Sequence, residues 1–287
     1  MPHPVTGVDH ALILVEDLDA SRDTYARLGF TTSPRGLHSA HMGTANHTIM
    51  LEDDYFELLG IVADTELNRP RRELLEGDGE GLRGVACRVD DAAAAAPELT
   101  ALGIATQDLS DFSRPVELPD GPEGVAAFTT LQFHPDEAPV GMMFMCQHRT
   151  RDTVWVPELL SHANGAVGLA GIVATSDDPA SMGERYARLF AAGAVTPIDG
   201  GVRVGTGERS APILVLAPEA LASAYPALDL TGLPRTAYAA LKVRVRDVAT
   251  AHALLERAGV AAARTPDGVA VAPKDASGVI LEFVEAA

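Results

Sequence analysis

The alternation of apolar and polar positions divides the chain into four similar units. Val8 to Val15 is a short, strongly apolar run that reads as a buried strand. Glu16-Asp17-Leu18-Asp19 then supplies capping acids that suit a helix N-terminus, and Leu18, Tyr25 and Leu28 share one face at helical spacing. Gly29 stops that helix and Phe30 begins another strand. Gly36, Gly43 and Asn46 punctuate a hairpin from Arg35 to Leu51, and Tyr55 to Ile61 returns as a strand. The second unit repeats this order from Gly84, with a cap at Asp91, a helix through Leu102, and strands at Val125 to Phe133 and Gly141 to Gln147. Its middle, Asp108 to Gly124, is rich in proline and glycine and predicts a loop. The third unit opens at Leu169 with a cap at Asp178 and reads as degenerate, being the least clear after its helix, and the fourth opens at Tyr238 with a cap at Asp247.

Superposed without gaps, the units bring Asp17, Asp91, Asp178 and Asp247 to one position and Gly29, Gly103 and Gly259 to another. Tyr25-Ala26-Arg27-Leu28 returns as Tyr186-Ala187-Arg188-Leu189. This repetition predicts an α+β fold of four tandem βαβββ modules in two pairs, each pair forming a curved mixed sheet. The expected domains are 1–150 and 164–287, with Arg149 to Gly165 as the seam and Trp155 inside it. One module cannot bury both faces of so small a sheet. Two modules side by side close around a shared concavity, where ligand and chemistry are expected.

Composition narrows the function classes. Hydrophobic residues make up 47% and aromatics only 5%, which predicts an aliphatic core. The net charge of −18 argues against nucleic acid and anionic membranes as partners and leaves a small molecule. An anionic substrate stays open, because a pocket can differ from the global field. Cys87 and Cys146 lie in apolar runs and read as buried, reduced thiols. No apolar run approaches the roughly 20 residues of a membrane span. Met1-Pro2-His3-Pro4 lacks a basic-then-apolar leader, so a cytoplasmic protein is expected.

His10 on the first strand and Glu57 on the closing strand are the principal candidates. An imidazole and a carboxylate suit a borderline divalent metal. A carboxylate among Tyr55, Phe56, Leu58 and Leu59 is costly unless paired or metal-bound. Glu57 is therefore also a candidate for proton transfer. So is His41, one of three hairpin histidines with His38 and His47, whose facing depends on a bulge at Gly43. His148 ends a buried strand and offers a further ligand from the second module, and Asn46 and Trp155 are candidate pocket residues. Glu282 repeats the place of Glu57, but its first-strand partner is Ala240, so a metal site within the second pair is not expected. Only a pairing of the first module with the fourth would join His10, Glu57 and Glu282.

Val8-Asp9-His10-Ala11 before the Asp17-Leu18-Asp19 cap, Leu28-Gly29-Phe30, and Tyr55-Phe56-Glu57-Leu58 resemble the vicinal oxygen chelate superfamily. This superfamily includes glyoxalase I, extradiol dioxygenases and fosfomycin and bleomycin resistance proteins. Gly43-Thr44-Ala45-Asn46, Cys146-Gln147-His148 and His162-Ala163-Asn164-Gly165-Ala166 resemble the glyoxalase-like domain proteins in particular. The resemblance implies a divalent metal (zinc, iron, manganese or nickel) held from first and fourth strands, with His10 and Glu57 at the matching positions. It implies an enzyme acting on a substrate with a carbonyl or vicinal oxygens, with metal or Glu/His assistance. Here the sequence departs from the pattern. The other first-strand positions are Gly84, Gly171 and Ala240, and the second module's fourth strand offers Phe144 or Met145. The alternative is a resistance-type protein that sequesters a small molecule. In a further variant the second pair of modules is a scaffold or a homodimer surface.

Overall fold

Four aspartates start four equivalent helices. The Asp17 carboxylate accepts from the backbone N–H groups of Asp19 and Ala20, Asp91 from Ala93 and Ala94, Asp178 from Ser181, and Asp247 from Ala249. Gly29, Gly103 and Gly259 end three of these helices with φ of 88°, 71° and 68°, a left-handed conformation that glycine adopts without steric cost. In the third module the residue after the cap is Leu189 rather than glycine, and it does not take a positive φ.

The computed structural model describes residues 2–116 and 124–286. The first module comprises β1 (Gly7–Val15), α1 (Leu18–Arg27), β2 (Gly36–Leu37), β3 (Thr44–Met50) and β4 (Tyr55–Ile61). After α2 (Arg69–Asp78), the second has β5 (Gly81–Arg88), α3 (Ala92–Ala101), β6 (Thr106–Val116), β7 (Gly124–Phe133) and β8 (Met142–His148). The third has β9 (Ala166–Thr175), α4 (Pro179–Ala187), β10 (Val195–Ile198), β11 (Gly201–Val204) and β12 (Ile213–Leu216). After α5 (Pro218–Ala224), the fourth has β13 (Ala237–Val245), α6 (Val248–Arg257), β14 (Ala262–Arg264), β15 (Gly268–Val271) and β16 (Ile280–Glu285).

The architecture is α+β, with two curved eight-stranded sheets ordered β2-β3-β4-β1-β5-β8-β7-β6 and β10-β11-β12-β9-β13-β16-β15-β14. Module one therefore pairs with two, and three with four. Within each module the first strand runs parallel to the last, and the two modules meet through antiparallel first strands. The helix-covered faces of both sheets feed one continuous apolar core, in which Phe30 stacks on Phe283 with ring centroids 5.8 Å apart. Each opposite face is concave. No helix among the described residues is long and apolar enough to cross a membrane.

Three features differ from the pattern-based expectation. Residues 108–116 are not loop but part of the edge strand β6, mostly exposed, an edge position being where a proline such as Pro115 is tolerated in a sheet. The rest of that stretch, 117–123, lies outside the described residues. The third module, obscure in sequence after its helix, is complete. Two helices were not anticipated, α2 and α5. Each follows the first module of its pair and lays apolar residues over a concave face: Leu74 and Leu75 in one case, Leu221 and Ala224 in the other.

The turn between β3 and β4 ties the two sheets together. Glu52 N–H donates to the Val167 carbonyl, and Asp54 Oδ1 accepts from Leu169 N–H at 2.9 Å. Burial pushes the Asp54 carboxyl up to about 7, against the opposing pull of the Leu169 N–H, Arg244 and Arg88. A folded pKa raised above the ordinary 3.8 means the native state holds a proton that the unfolded chain releases. Stability therefore falls as pH rises from about 4 through 7. Asp54→Asn keeps the acceptor and removes the charge. In urea unfolding it should match the wild type near pH 4 and exceed it at pH 8 by on the order of 2–4 kcal/mol. Equal stabilities at pH 8 would contradict this.

Candidate active site in the first hollow

The first concave face is built from alternate residues: His10, Leu12 and Leu14 of β1; Asn46, Thr48 and Met50 of β3; Tyr55, Glu57 and Leu59 of β4; Phe144, Cys146 and His148 of β8. Strict alternation would send Asp9 to the opposite side. The register prevents this: Val8 pairs with Cys87 and His10 with Ala86, so Asp9 is an extra residue in a β-bulge. The bulge turns the Asp9 carboxylate to the same side as His10.

There Asp9 Oδ2 lies 2.7 Å from His10 Nδ1 and 3.0 Å from His148 Nε2. All three side chains are nearly inaccessible. Burial works against ionisation of Asp9, but the two imidazoles outweigh it and hold the carboxyl well below its usual range. An ionised carboxylate only accepts, so each ring carries its proton on the nitrogen facing Asp9. A ring that carries this proton alone has its other nitrogen bare, Nε2 in His10 and Nδ1 in His148. The latter is buried without a hydrogen-bond partner among the described residues. Aromatic rings fix both imidazoles: His10 stacks on Tyr55 at 4.2 Å, and His148 meets Phe128 and Trp155 edge-on at 5.0 Å each. Trp155 is itself anchored by its indole N–H to the Leu51 carbonyl, with the Arg151 guanidinium over its ring at 3.4 Å.

Cys146 completes a cluster of four donors. One ligand atom from each of Asp9, His10, Cys146 and His148 lies within 4.8 Å of every other. A carboxylate, two imidazoles and a thiol are a suitable set for a borderline divalent ion such as zinc. The orphaned His148 Nδ1 further marks the site as built to meet a ligand. Burial pushes the Cys146 thiol well up, so it stays protonated until a cation displaces the proton.

Glu57 faces the same hollow but stands outside that cluster. Its Oε2 accepts from Asn46 Nδ2 at 2.5 Å. His38, Arg71 and Arg114 lie close enough to feel its charge. The hairpin histidines separate. His41 is exposed on the turn before β3; His47 faces away, its Nδ1 on the Ser33 carbonyl; His38 has its Nδ1 2.8 Å from Thr44 Oγ1 and lies near enough to Glu57 to feel its charge. Burial lowers the His38 pKa, with Glu57 opposing and Arg114 and Arg71 reinforcing. Sequence reasoning passed over Asp9, Cys146, Arg71 and Arg114. The bulge that aims Asp9 leaves no mark on the apolar pattern.

In the second hollow the bulge recurs at Ala239, between Tyr238 opposite Ala174 and Ala240 opposite Val173. The residues equivalent to Asp9 and His10 are thus Ala239 and Ala240. Glu282 takes the place of Glu57, but Tyr225 donates to it at 2.7 Å and Lys242 pairs with it at 3.2 Å. Leu216, Leu221, Ala270 and Ile280 fill the remaining space.

The chain belongs to the glyoxalase-like domain family, whose model matches residues 8–190. No curated protein gives a match. Among solved structures it is similar to a hypothetical protein from Staphylococcus aureus, at 11% identity and TM-score 0.69, covering 97% of this chain and 99% of that one. It is also similar to a variant of 4-hydroxymandelate synthase from Streptomyces coelicolor, at 12% identity and TM-score 0.57, covering 98% and 93%. A third is a xylose isomerase-like TIM barrel/4-hydroxyphenylpyruvate dioxygenase fusion protein, at 15% identity and TM-score 0.58, covering 99% of this chain and 50% of that one. At these identities the likeness is one of fold.

Removing the Asp9 charge should leave two buried imidazoles poorly answered. Asp9→Asn is expected to lose on the order of 1–3 kcal/mol in urea unfolding at pH 7. Wild-type stability would show that the two contacts do not hold the site together.

Proposed function

We propose that the first hollow is the active site of a cytoplasmic small-molecule enzyme, acting next to a carbonyl or across vicinal oxygens of its substrate. The observation that carries this reading is one buried carboxylate oxygen orienting two imidazoles in an aromatic-walled hollow. Orientation by a carboxylate is what metal-binding and proton-moving histidines both require. Asp9, His10, Cys146 and His148 would hold a divalent metal, which when bound supplies Lewis-acid stabilisation of an oxyanion. Glu57, steadied by Asn46, is the carboxylate placed to accept a proton from bound substrate. Tyr55, Phe128 and Trp155 exclude water from these groups.

The runner-up is a protein that sequesters a small molecule. What favours it is the second module's share of the family positions, Gly84 and Phe144, neither of which can ligate. Incubation with methylglyoxal plus glutathione, catechol and fosfomycin separates the two: turnover supports the enzyme, and thermal stabilisation without product supports sequestration.

Metal binding is tested directly by titrating purified protein with cobalt and following its absorption. His10→Ala and His148→Ala should abolish the bound-cobalt spectrum. Asp9→Asn should weaken binding roughly 10–100-fold. Glu57→Gln should retain it. Equal, negligible cobalt binding in all of these proteins would remove the metalloenzyme version.

A further inference from the structure

Among the described residues, two arginines of the first hollow have no carboxylate paired with them. Arg71 lies on α2 and Arg114 on β6, both half-buried. Among the described residues, Arg114 makes no side-chain hydrogen bond or ion pair, and Arg71 reaches only the Met142 thioether, at 3.4 Å. A thioether is a weak acceptor. Burial disfavours both charges, and Glu57 is the nearby acid that acts on each. A guanidinium nevertheless stays protonated, and a buried charge without a partner is costly. Among the described residues, two guanidiniums beside one carboxylate give this end of the hollow one positive charge in excess, on a chain whose net charge is −18. The second hollow shows the contrast, since Lys242 there is satisfied by both Asp267 and Glu282.

The backbone makes room for Arg114. A Cβ at Gly36 would stand 2.6 Å from the guanidinium carbon of Arg114 and 2.5 Å from Asn46 Oδ1. Asn46 Oδ1 is itself buried without a partner, while its Nδ2 holds Glu57. Arg114 also lines an open cleft of about 210 Å³ with Ser33, Arg35, Thr48, Val154 and Leu159. Arg35 is already engaged by Asp19 at 2.8 Å. Arg114 is therefore the cation of the cleft that has no partner among the described residues.

We infer that Arg114, assisted by Arg71, binds a carboxylate of the substrate beside Glu57, so that the hollow takes a monoanionic carboxylic acid. This rests on the reading of the first hollow as the substrate site. A single excess positive charge matches a monoanion, whereas a phosphate dianion would leave negative charge against Glu57. The planar guanidinium fork suits a carboxylate.

The test compares pyruvate and benzoate with their methyl esters, by calorimetric titration of the full chain at constant ionic strength, with inorganic phosphate as a further arm. At least one acid should bind roughly tenfold or more tightly than its ester. Arg114→Gln should abolish that preference and Arg71→Gln should reduce it. Gly36→Ala keeps both charges but displaces the guanidinium, and should abolish it too. Failure of both acids to bind better than their esters, tighter binding of phosphate, or a preference that survives Arg114→Gln would overturn the inference. Cobalt titration of the wild-type protein alongside the acid and ester titrations keeps the two readings apart. An intact cobalt site without carboxylate preference sinks this inference alone. A lost cobalt site with the preference retained sinks the metal reading alone.

Discussion

The site depends on one extra residue in one strand. Without the bulge at Asp9, the acid would point into the helix-covered core, and His10 and His148 would face each other across the hollow with nothing between them. With it, a single oxygen accepts from both rings and sets their tautomers. The desolvation cost of burying Asp9 is offset by those two contacts, which also hold its proton off. Stacking on Tyr55 and packing against Trp155 then keep the imidazoles from rotating away.

The duplicated fold separates architecture from chemistry. Both pairs of modules carry the bulge at the same place, and both bring an extra helix over the concave face. In the second pair the bulged residues are Ala239 and Ala240, the equivalent glutamate is paired with Lys242, and leucines from α5 and the segment after it close the space. In the first pair the same positions hold Asp9 and His10, and among the described residues Glu57 has one hydrogen-bond partner, the neutral Asn46 side chain. The second sheet spends its concave face on packing, and the first keeps polar groups that packing alone would exclude.

The local signals were the legible ones. Capping aspartates and glycine stops act over a few residues, so four modules could be read before any sheet was seen. Alternation placed His10 with Leu12 and Leu14, and the structure sets Glu57, Asn46 and His148 on that same face, with Trp155 against it. Alternation also hid Asp9, because a bulge changes the period by one residue without altering the apolar pattern. The hairpin posed the same difficulty: His38, His41 and His47 are indistinguishable by composition, and the turn geometry decides that His38 lies near Glu57 and His41 faces solvent. Arg71 and Arg114 lie on elements with weak signatures, a mostly polar helix and an exposed edge strand.

The most direct test is the protonation pattern of the two imidazoles. Long-range proton–nitrogen correlation spectra of histidine-labelled, metal-stripped protein report which ring nitrogen carries hydrogen. The account predicts opposite tautomers, Nδ1–H at His10 and Nε2–H at His148, both disturbed by Asp9→Asn. The same tautomer on both rings, indifferent to Asp9→Asn, would contradict it.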